Sequence, residues 1–284
     1  MSGAGDELDW RPLGPSDLAA VTDLAGVCLA ADGGQPYAAD AGFLSDVYMS
    51  GATTNSAWAG RLLVCACALQ QGGATTGLVH PEWRRRGIGT RALDWAAAAA
   101  RGAPLTAETE MLSDGAHALY GSEGLSQVFA EDVMQLAGPA RVPAAPAGLV
   151  LHTWGQAGPA RFFAVYDAAF RDRPGFPGWP QHRWVEWVSG DDDFRPQWSM
   201  LAVLDGADVG FIVGDASGRI VQMGVVPSAR GSGIGAVLIG EAVGRMRSSG
   251  QKIITLDVNI DNPRAIALYA RVGFTRTGRR ARYA

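Results

Sequence analysis

The sequence predicts an α/β fold, α+β in its strand pairing, made of two tandem halves that each hold a mixed β-sheet flanked by helices. Three observations carry this expectation. The chain has 284 residues, about twice a common single-domain length of ~100–150 residues. It repeats itself: Val79-His-Pro-Glu-Trp-Arg84-Arg85-Arg86-Gly87-Ile88-Gly89 aligns without gaps on Val225-Val-Pro-Ser-Ala-Arg230-Gly231-Ser232-Gly233-Ile234-Gly235, and Leu119-Tyr120 with Gly124 aligns on Leu268-Tyr269 with Gly273. Two motifs in the same order at nearly the same spacing imply duplication. Finally, strand-period and helix-period segments alternate along both halves. The segment from Gly138 to Gly148 is rich in Pro, Gly and Ala and has no period, so it reads as a linker. The expected division is a first half over 1–138, a linker over 139–148 and a second half over 149–284.

The second half shows its elements most clearly. Leu149–Trp154 reads as a strand and Ala160–Phe170 as a helix, Pro174–Pro180 must be loop, and Arg183–Val188 suggests a short helix. Trp198–Leu204, Val209–Val213 and Ile220–Val226 are three strands with turns at Asp205-Gly206 and Ser217-Gly218, hence an antiparallel meander. From Gly233 the period becomes helical, with Leu238, Ile239, Ala242, Val243 and Met246 on one face and Gly250 as the stop. Ile253–Val258 is a strand. Asn262-Pro263 then gives an N-cap followed by Pro at the first helical position, opening a helix that runs to Gly273. A last strand starts at Phe274. The first half is a shorter version of the same series.

Composition limits the functional classes. Hydrophobic residues make up 48% and charged residues 18% of the chain, enough to bury a core and too apolar for disorder. No stretch approaches the ~18 apolar residues of a membrane span. The first twenty residues carry Asp6, Glu7, Asp9 and Asp17 without an apolar run, so no secretory leader and no membrane partner are expected. Residues 1–140 carry net charge −9 and residues 141–284 carry +5, which makes the second half the better host for an anion. The Arg residues are scattered, so no nucleic-acid partner is expected. Cys28, Cys65 and Cys67 match no zinc spacing, and the four histidines are dispersed. Buried thiols, no metal and a reducing cytoplasm are the expectation.

The duplicated segment between strand and helix is where chemistry is expected. A helix N-terminus offers unpaired N–H groups and the positive end of its dipole. Glycines let a phosphate approach the backbone, and an Arg fork matches phosphate oxygens. A plain strand–helix connection would need the glycines but not the repeated Arg. Gly231-Ser-Gly233-Ile-Gly-Ala236 also satisfies G-x-G-x-x-A with Asp257 about 20 residues on, as a nicotinamide-dependent oxidoreductase would. Against that, an antiparallel meander precedes the motif rather than a βαβ unit.

The whole pattern, Val-x-Pro-x-x-Arg-Gly-x-Gly-Ile-Gly followed by Asn262 and then Leu-Tyr-x-x-x-Gly-Phe, resembles the Gcn5-related N-acetyltransferase (GNAT) family, once per half, in a layout like that of mycothiol synthases. The resemblance implies two tandem GNAT folds and acetyl-CoA as co-substrate. It implies that Arg230, Gly231, Ser232, Gly233, Ile234, Gly235 and Ala236 bind the pyrophosphate. It implies further that the backbone of Met223, Gly224 and Val225 bonds the pantetheine arm, that Asn262 touches it, and that Tyr269 donates a proton to the departing thiolate. Asn262 is equally explained as a helix cap, and Tyr269 as a core residue on the stripe with Ile266 and Ala270. Val79, Arg84, Arg85, Arg86, Gly87, Ile88 and Gly89 form a possible second site. That half departs from the pattern: Ser113-Asp114 replaces Asn-Pro and Leu125 replaces Phe.

The expected reaction is transfer of an acetyl group to the primary amine of a small molecule by direct attack, in a monomer or homodimer. An ammonium of pKa ~10 must lose a proton before attacking. The strand Arg219–Val226 offers no carboxylate for this, which leaves Asp257, Glu186 and Asp191–Asp193. Trp179, Trp184, Trp187 and Trp198, with Phe170 and Phe176, either line an acceptor pocket or form core. Three alternatives remain open from the residues: acetylation of an amino-sugar thiol precursor, a non-catalytic coenzyme A-binding protein, and the oxidoreductase.

Overall fold

A computed structural model describes residues 8–173 and 176–284. Of the expected loop over 174–180, Pro174 and Gly175 lie outside the described residues. The chain forms two compact units that do not divide it at a single point. Unit 1 takes the described residues up to Val133 together with Thr277–Ala284, and unit 2 takes Met134–Arg276.

Unit 1 runs β1 (Asp9–Arg11), α1 (Leu18–Asp32), α2 (Ala41–Tyr48), β2 (Thr53–Ala59), β3 (Leu62–Leu69), β4 (Ala74–Val79), α3 (Ile88–Ala99), β5 (Thr106–Thr109), α4 (Asp114–Ser122) and β6 (Gln127–Leu136). Its strands lie in the order β1-β2-β3-β4-β5-β12-β6, where β12 is Thr275–Tyr283. β3 alternates its side chains between the two faces, as a strand must. Ala66 and Ala68 meet α1 and α2 through Val21, Leu24 and Leu44, while Cys65 and Cys67 meet Ile88 and Ala92 of α3. All three cysteines are buried free thiols. β12 pairs antiparallel with β5, Ala281 opposite Thr109 and Tyr283 opposite Ala107. Its approach to α1 requires glycine: a Cβ on Gly278 would stand 2.0 Å from the Gly34 nitrogen.

Unit 2 repeats the series with β7 (Leu149–Thr153), α5 (Trp154–Ala157), α6 (Pro159–Phe170), α7 (Gln181–Ser189), β8 (Met200–Leu204), β9 (Ala207–Gly214), β10 (Arg219–Val225), α8 (Ile234–Ser248), β11 (Ile254–Asn259) and α9 (Pro263–Val272). The strand order is β11-β10-β9-β8-β7, and β8, β9 and β10 form the expected antiparallel meander. On one face Phe211 of β9 packs with Phe162 of α6 and Trp184 of α7. On the other, Ile212 of β9 packs with Leu238 and Met246 of α8.

In both units one parallel strand pair begins in register and then parts. β4 pairs with β5 at Ala74–Thr106 and Thr75–Ala107, and β10 pairs with β11 at Arg219–Thr255 and Ile220–Leu256. Beyond those residues β4 and β10 run on beside their antiparallel neighbours β3 and β9. The two strand ends lead directly into the duplicated turns.

Candidate functional site

Each duplicated turn places two left-handed residues before a helix. Arg85 has φ 63° and Gly87 φ 78° ahead of α3; Gly231 has φ 83° and Gly233 φ 88° ahead of α8. Gly87 and Gly233 are the N-caps, and neither cap supplies a side-chain acceptor. The first N–H groups of each helix therefore converge on a short concave loop, a site suited to an anion. A left-handed Arg costs ~1–2 kcal/mol relative to glycine, and Arg85 holds its exposed side chain at the cavity described below.

The repeated Arg does something other than point into that loop. Arg84 donates Nε–H to the Val79 carbonyl at 3.1 Å and both terminal nitrogens to Asp32 at 2.7 and 2.6 Å. Arg230 donates Nε–H to the Val225 carbonyl at 3.1 Å and Nη2–H to the Ala169 carbonyl at 2.9 Å. In both units the fork ties the end of the parting strand to the first long helix. Asp32 is thus a site-forming residue that the sequence reading missed; nothing in its own neighbourhood marks it.

The second-half residues come together as a group. A Cβ on Gly235 would lie 3.1 Å from Leu268 Cδ2 and 3.8 Å from both Met223 Cε and Val225 Cγ2, so β10, α8 and α9 converge there. Gly224 is pressed from the other side, its Cβ position 2.9 Å from ring atoms of Phe170 and Phe211. Asn262 caps α9, its Oδ1 accepting from the Ala265 N–H at 3.2 Å. Ser232 donates its hydroxyl to the Ala229 carbonyl at 2.6 Å. Tyr269 is 7% exposed, and burial pushes its phenol up to about 12, with the Arg173 charge acting in the opposite direction. Its counterpart Tyr120 is pushed to about 12 by burial, but there the facing Tyr283 adds to the rise.

The carboxylates named from sequence are engaged or exposed. Asp257 accepts from Arg219 Nη2–H at 2.5 Å. Glu186 is on the exposed side of α7, and the Asp191 carboxylate accepts from the Asp193 N–H at 2.9 Å in its own turn. On β10 the side-chain acceptor is Gln222, which takes the Trp184 indole N–H at 3.0 Å. The tryptophans divide. Trp184 and Trp198 are core, while Trp179 packs edge-to-face on the half-exposed Trp187 with Arg183 over its ring.

Unit 1 contains a cavity of about 600 Å³ between α3, α4 and the sheet, within the ~300–1,000 Å³ of ordinary ligand sites. The turn residues Arg84, Arg85, Gly87 and Gly89 line it together with Gly77, Cys67 and Tyr120. Sequence reasoning did not find it, because its space comes from what is absent at Gly77 and Cys67. Among the described residues no group of His, Cys, Asp and Glu could hold a metal, and no helix is long and apolar enough to cross a membrane.

A model of the acetyltransferase (GNAT) family matches residues 65–124 and 162–274, once in each unit and over more than half of the chain. The chain belongs to this family. This GNAT protein is 31% identical over 212 residues to a mycothiol acetyltransferase of Thermomonospora curvata, covering 70% of this chain and 69% of that one. It is 29% identical to a mycothiol acetyltransferase of Parafrankia sp., with 95% of each chain covered. Among solved structures it resembles a GCN5-related N-acetyltransferase from Sphaerobacter thermophilus (TM-score 0.73, 24% identity, 98% and 95% covered). It also resembles a tandem GNAT protein from the clavulanic acid biosynthesis pathway (TM-score 0.62, 22% identity, 98% of each covered). These two likenesses concern the fold: two tandem GNAT folds, as the resemblance implied. The chain is an acyltransferase enzyme whose reaction is acetyl transfer. The oxidoreductase and non-catalytic alternatives fall with that assignment. The dinucleotide reading also needs Asp257 for a ribose, and that carboxylate is engaged by Arg219.

Proposed function

We propose that the chain moves the acetyl group of acetyl-CoA to the primary amine of a small molecule, with the reaction centre in unit 2 and a second coenzyme A site in unit 1. The observation that carries this reading is the paired left-handed turn, repeated at 85 and 87 and at 231 and 233, beside strands that have just parted. The pyrophosphate meets backbone N–H groups from Gly233, Ile234, Gly235 and Ala236. The pantetheine arm runs along the peptide groups of Met223, Gly224 and Val225, in the gap where β11 has left β10. Arg230 and Arg84 serve that arrangement by fixing the strand ends.

The amine nitrogen attacks the thioester carbon, the carbonyl oxygen takes the negative charge, and the C–S bond then breaks. A backbone N–H on β10 can hold the oxyanion. Tyr269 at about 12 is protonated at neutral pH, while a free thiol titrates near ~8.5. The phenol therefore stabilises the leaving sulfur by hydrogen-bond donation, since full transfer to the thiolate would run uphill. Unit 2 is favoured as the centre because Arg173 there stabilises the charge Tyr269 develops on donating, whereas Tyr283 opposes it at Tyr120. With Gln222 on β10, the amine releases its proton to water.

A second reading of the acceptor follows from the names of the relatives: an amine on an amino-sugar thiol precursor, as in mycothiol acetyltransferases. Calorimetric titration of the full chain with acetyl-CoA, with NADP as control, tests the coenzyme. Acetyl-CoA binding without NADP binding is expected, followed by thiol release on addition of the right amine. Absence of acetyl-CoA binding would refute the reading.

A further inference from the structure

The two units share a fold, yet the register of their strands shows that they are packed differently behind the phosphate turn. Val79 stands opposite Cys65 and Gly77 opposite Cys67; Val225 stands opposite Gly210 and Met223 opposite Ile212. Counting back from the duplicated Val79 and Val225, Cys65 corresponds to Gly210, Cys67 to Ile212 and Gly77 to Met223. Across from them, Ala92 of α3 corresponds to Leu238 of α8 by the offset of the turns. The first exchange balances. Unit 1 has the larger strand residue and smaller helix residue, and in unit 2 Leu238 Cδ1 comes to 3.1 Å of the Cβ position of Gly210. The second does not. Met223 fills unit 2 up to the first turn of α8, its Cε 3.8 Å from the Cβ position of Gly235. Gly77 sends nothing toward Gly89, and the cavity of about 600 Å³ lies there.

This space has a polarity along its length. The lining runs from the turn at Arg85, Gly87 and Gly89, where Leu119 Cδ2 comes to 3.2 Å of the Cβ position of Gly89, back along β4 and β3 to Gly77 and Cys67. The Cys28 thiol, which donates to the Val79 carbonyl at 3.5 Å, is pushed up to about 11 by burial and so adds no charge to the lining. A ligand with phosphates at one end and an apolar tail at the other matches that gradient.

We propose that unit 1 binds an acyl-CoA whose acyl chain is longer than acetyl, on the order of six carbons, with the chain in the space left by Gly77 and Cys67. This rests on the coenzyme A reading of the turn. Unit 2, closed by Met223 and Ile212, takes acetyl only. The two halves then read different acyl-CoA esters.

The probe is hexanoyl-CoA, titrated against acetyl-CoA into the full-length protein. Each buried methylene strengthens binding roughly fourfold, so four of them, even partly buried, give an expected preference for hexanoyl-CoA of at least ~10-fold. Gly77→Met, which imports the unit 2 residue, is expected to bring the ratio to about one. Gly77 is extended and its Cβ position meets Ala66 O and Cys67 Cβ at 3.6 Å, an ordinary contact that leaves the strand intact. Cys67→Ile is the second variant and should lower the ratio independently, with an unchanged melting curve for both. Acetyl-CoA binding with no hexanoyl preference overturns this inference and leaves the coenzyme A reading standing. A preference that survives in both folded variants overturns it as well. If neither ester binds, the coenzyme A reading itself fails.

Discussion

Arg84→Ala separates a bracing arginine from a phosphate ligand. The wild-type side chain makes a two-pronged bond to Asp32 and a third to the Val79 carbonyl, and the two charged groups are 25% and 10% exposed. A fully buried pair costs ~3–5 kcal/mol to break from one side and an exposed pair ~0–1 kcal/mol. The intermediate burial here places the loss at about 2–3 kcal/mol, most of it the Asp32 carboxylate left without its partner. For a unit of this size that is a fall in melting temperature of roughly 6–9 °C. Arg230 is exposed and bonds two carbonyls that water can satisfy, so Arg230→Ala should cost only about 1 kcal/mol. Differential scanning calorimetry without ligand measures both. Arg84→Lys is the decisive control, because a lysine keeps the charge but has no fork. It should melt nearly as low as Arg84→Ala and leave coenzyme A binding as weak. Equal melting of the two alanine variants, or recovery of affinity in Arg84→Lys, would refute the bracing argument.

Tyr269→Phe keeps the ring that packs on Phe274 and removes only the donor; kcat should fall on the order of 10²-fold with KM within about twofold, and an unchanged kcat would remove Tyr269 from the reaction. Tyr120 and Tyr269 are both raised in the folded state to about 12 from 10.0. The stability they protect is whole below about pH 10 and is lost as pH climbs through 10 to 12, by about 3 kcal/mol for each. Urea midpoints across that range, compared with each Phe variant, would show a flatter alkaline fall if the sign is right. Because β10 carries Gln222 rather than a carboxylate, kcat/KM should keep rising with pH toward the pKa of the amine substrate. A plateau set by an enzyme group below about pH 7 would contradict the water route.

Much of this architecture was legible in the sequence, for local reasons. The turns announced themselves because left-handed backbone asks for glycine at 87, 231 and 233, and the helix from Pro263 because Asn262 and Pro263 are cap and first-turn residues by their own chemistry. What escaped depends on partners distant along the chain. The split charge of −9 and +5 presumed that the halves part near residue 140. Arg279, Arg280 and Arg282 belong instead to unit 1, where they pair with Asp132, with Glu131 and Glu110, and with Glu108. The units then carry −6 and +2, a smaller difference than the one that made the second half the better host for an anion. The tryptophan group, open to a pocket or a core role from sequence, splits by helical phase, Trp184 inward to Gln222 and Trp187 outward. The unit 1 cavity was invisible because Gly77 and Cys67 are unexceptional strand residues until their counterparts Met223 and Ile212 are set beside them.

The passage of residues 277–283 into the first unit also orders events during synthesis. On the ribosome, β5 is complete early, yet the strand that covers its edge is not made until the whole of 134–276 has been translated. At ~5–20 residues per second that is roughly 7–30 s of waiting, during which the edge at Thr106–Thr109 is open to any extended segment. The second unit is a continuous stretch, Met134–Arg276, and needs nothing made after it. The half that begins first is therefore the half that closes last, and a stalled or clipped nascent chain would strand the first unit with its sheet unfinished.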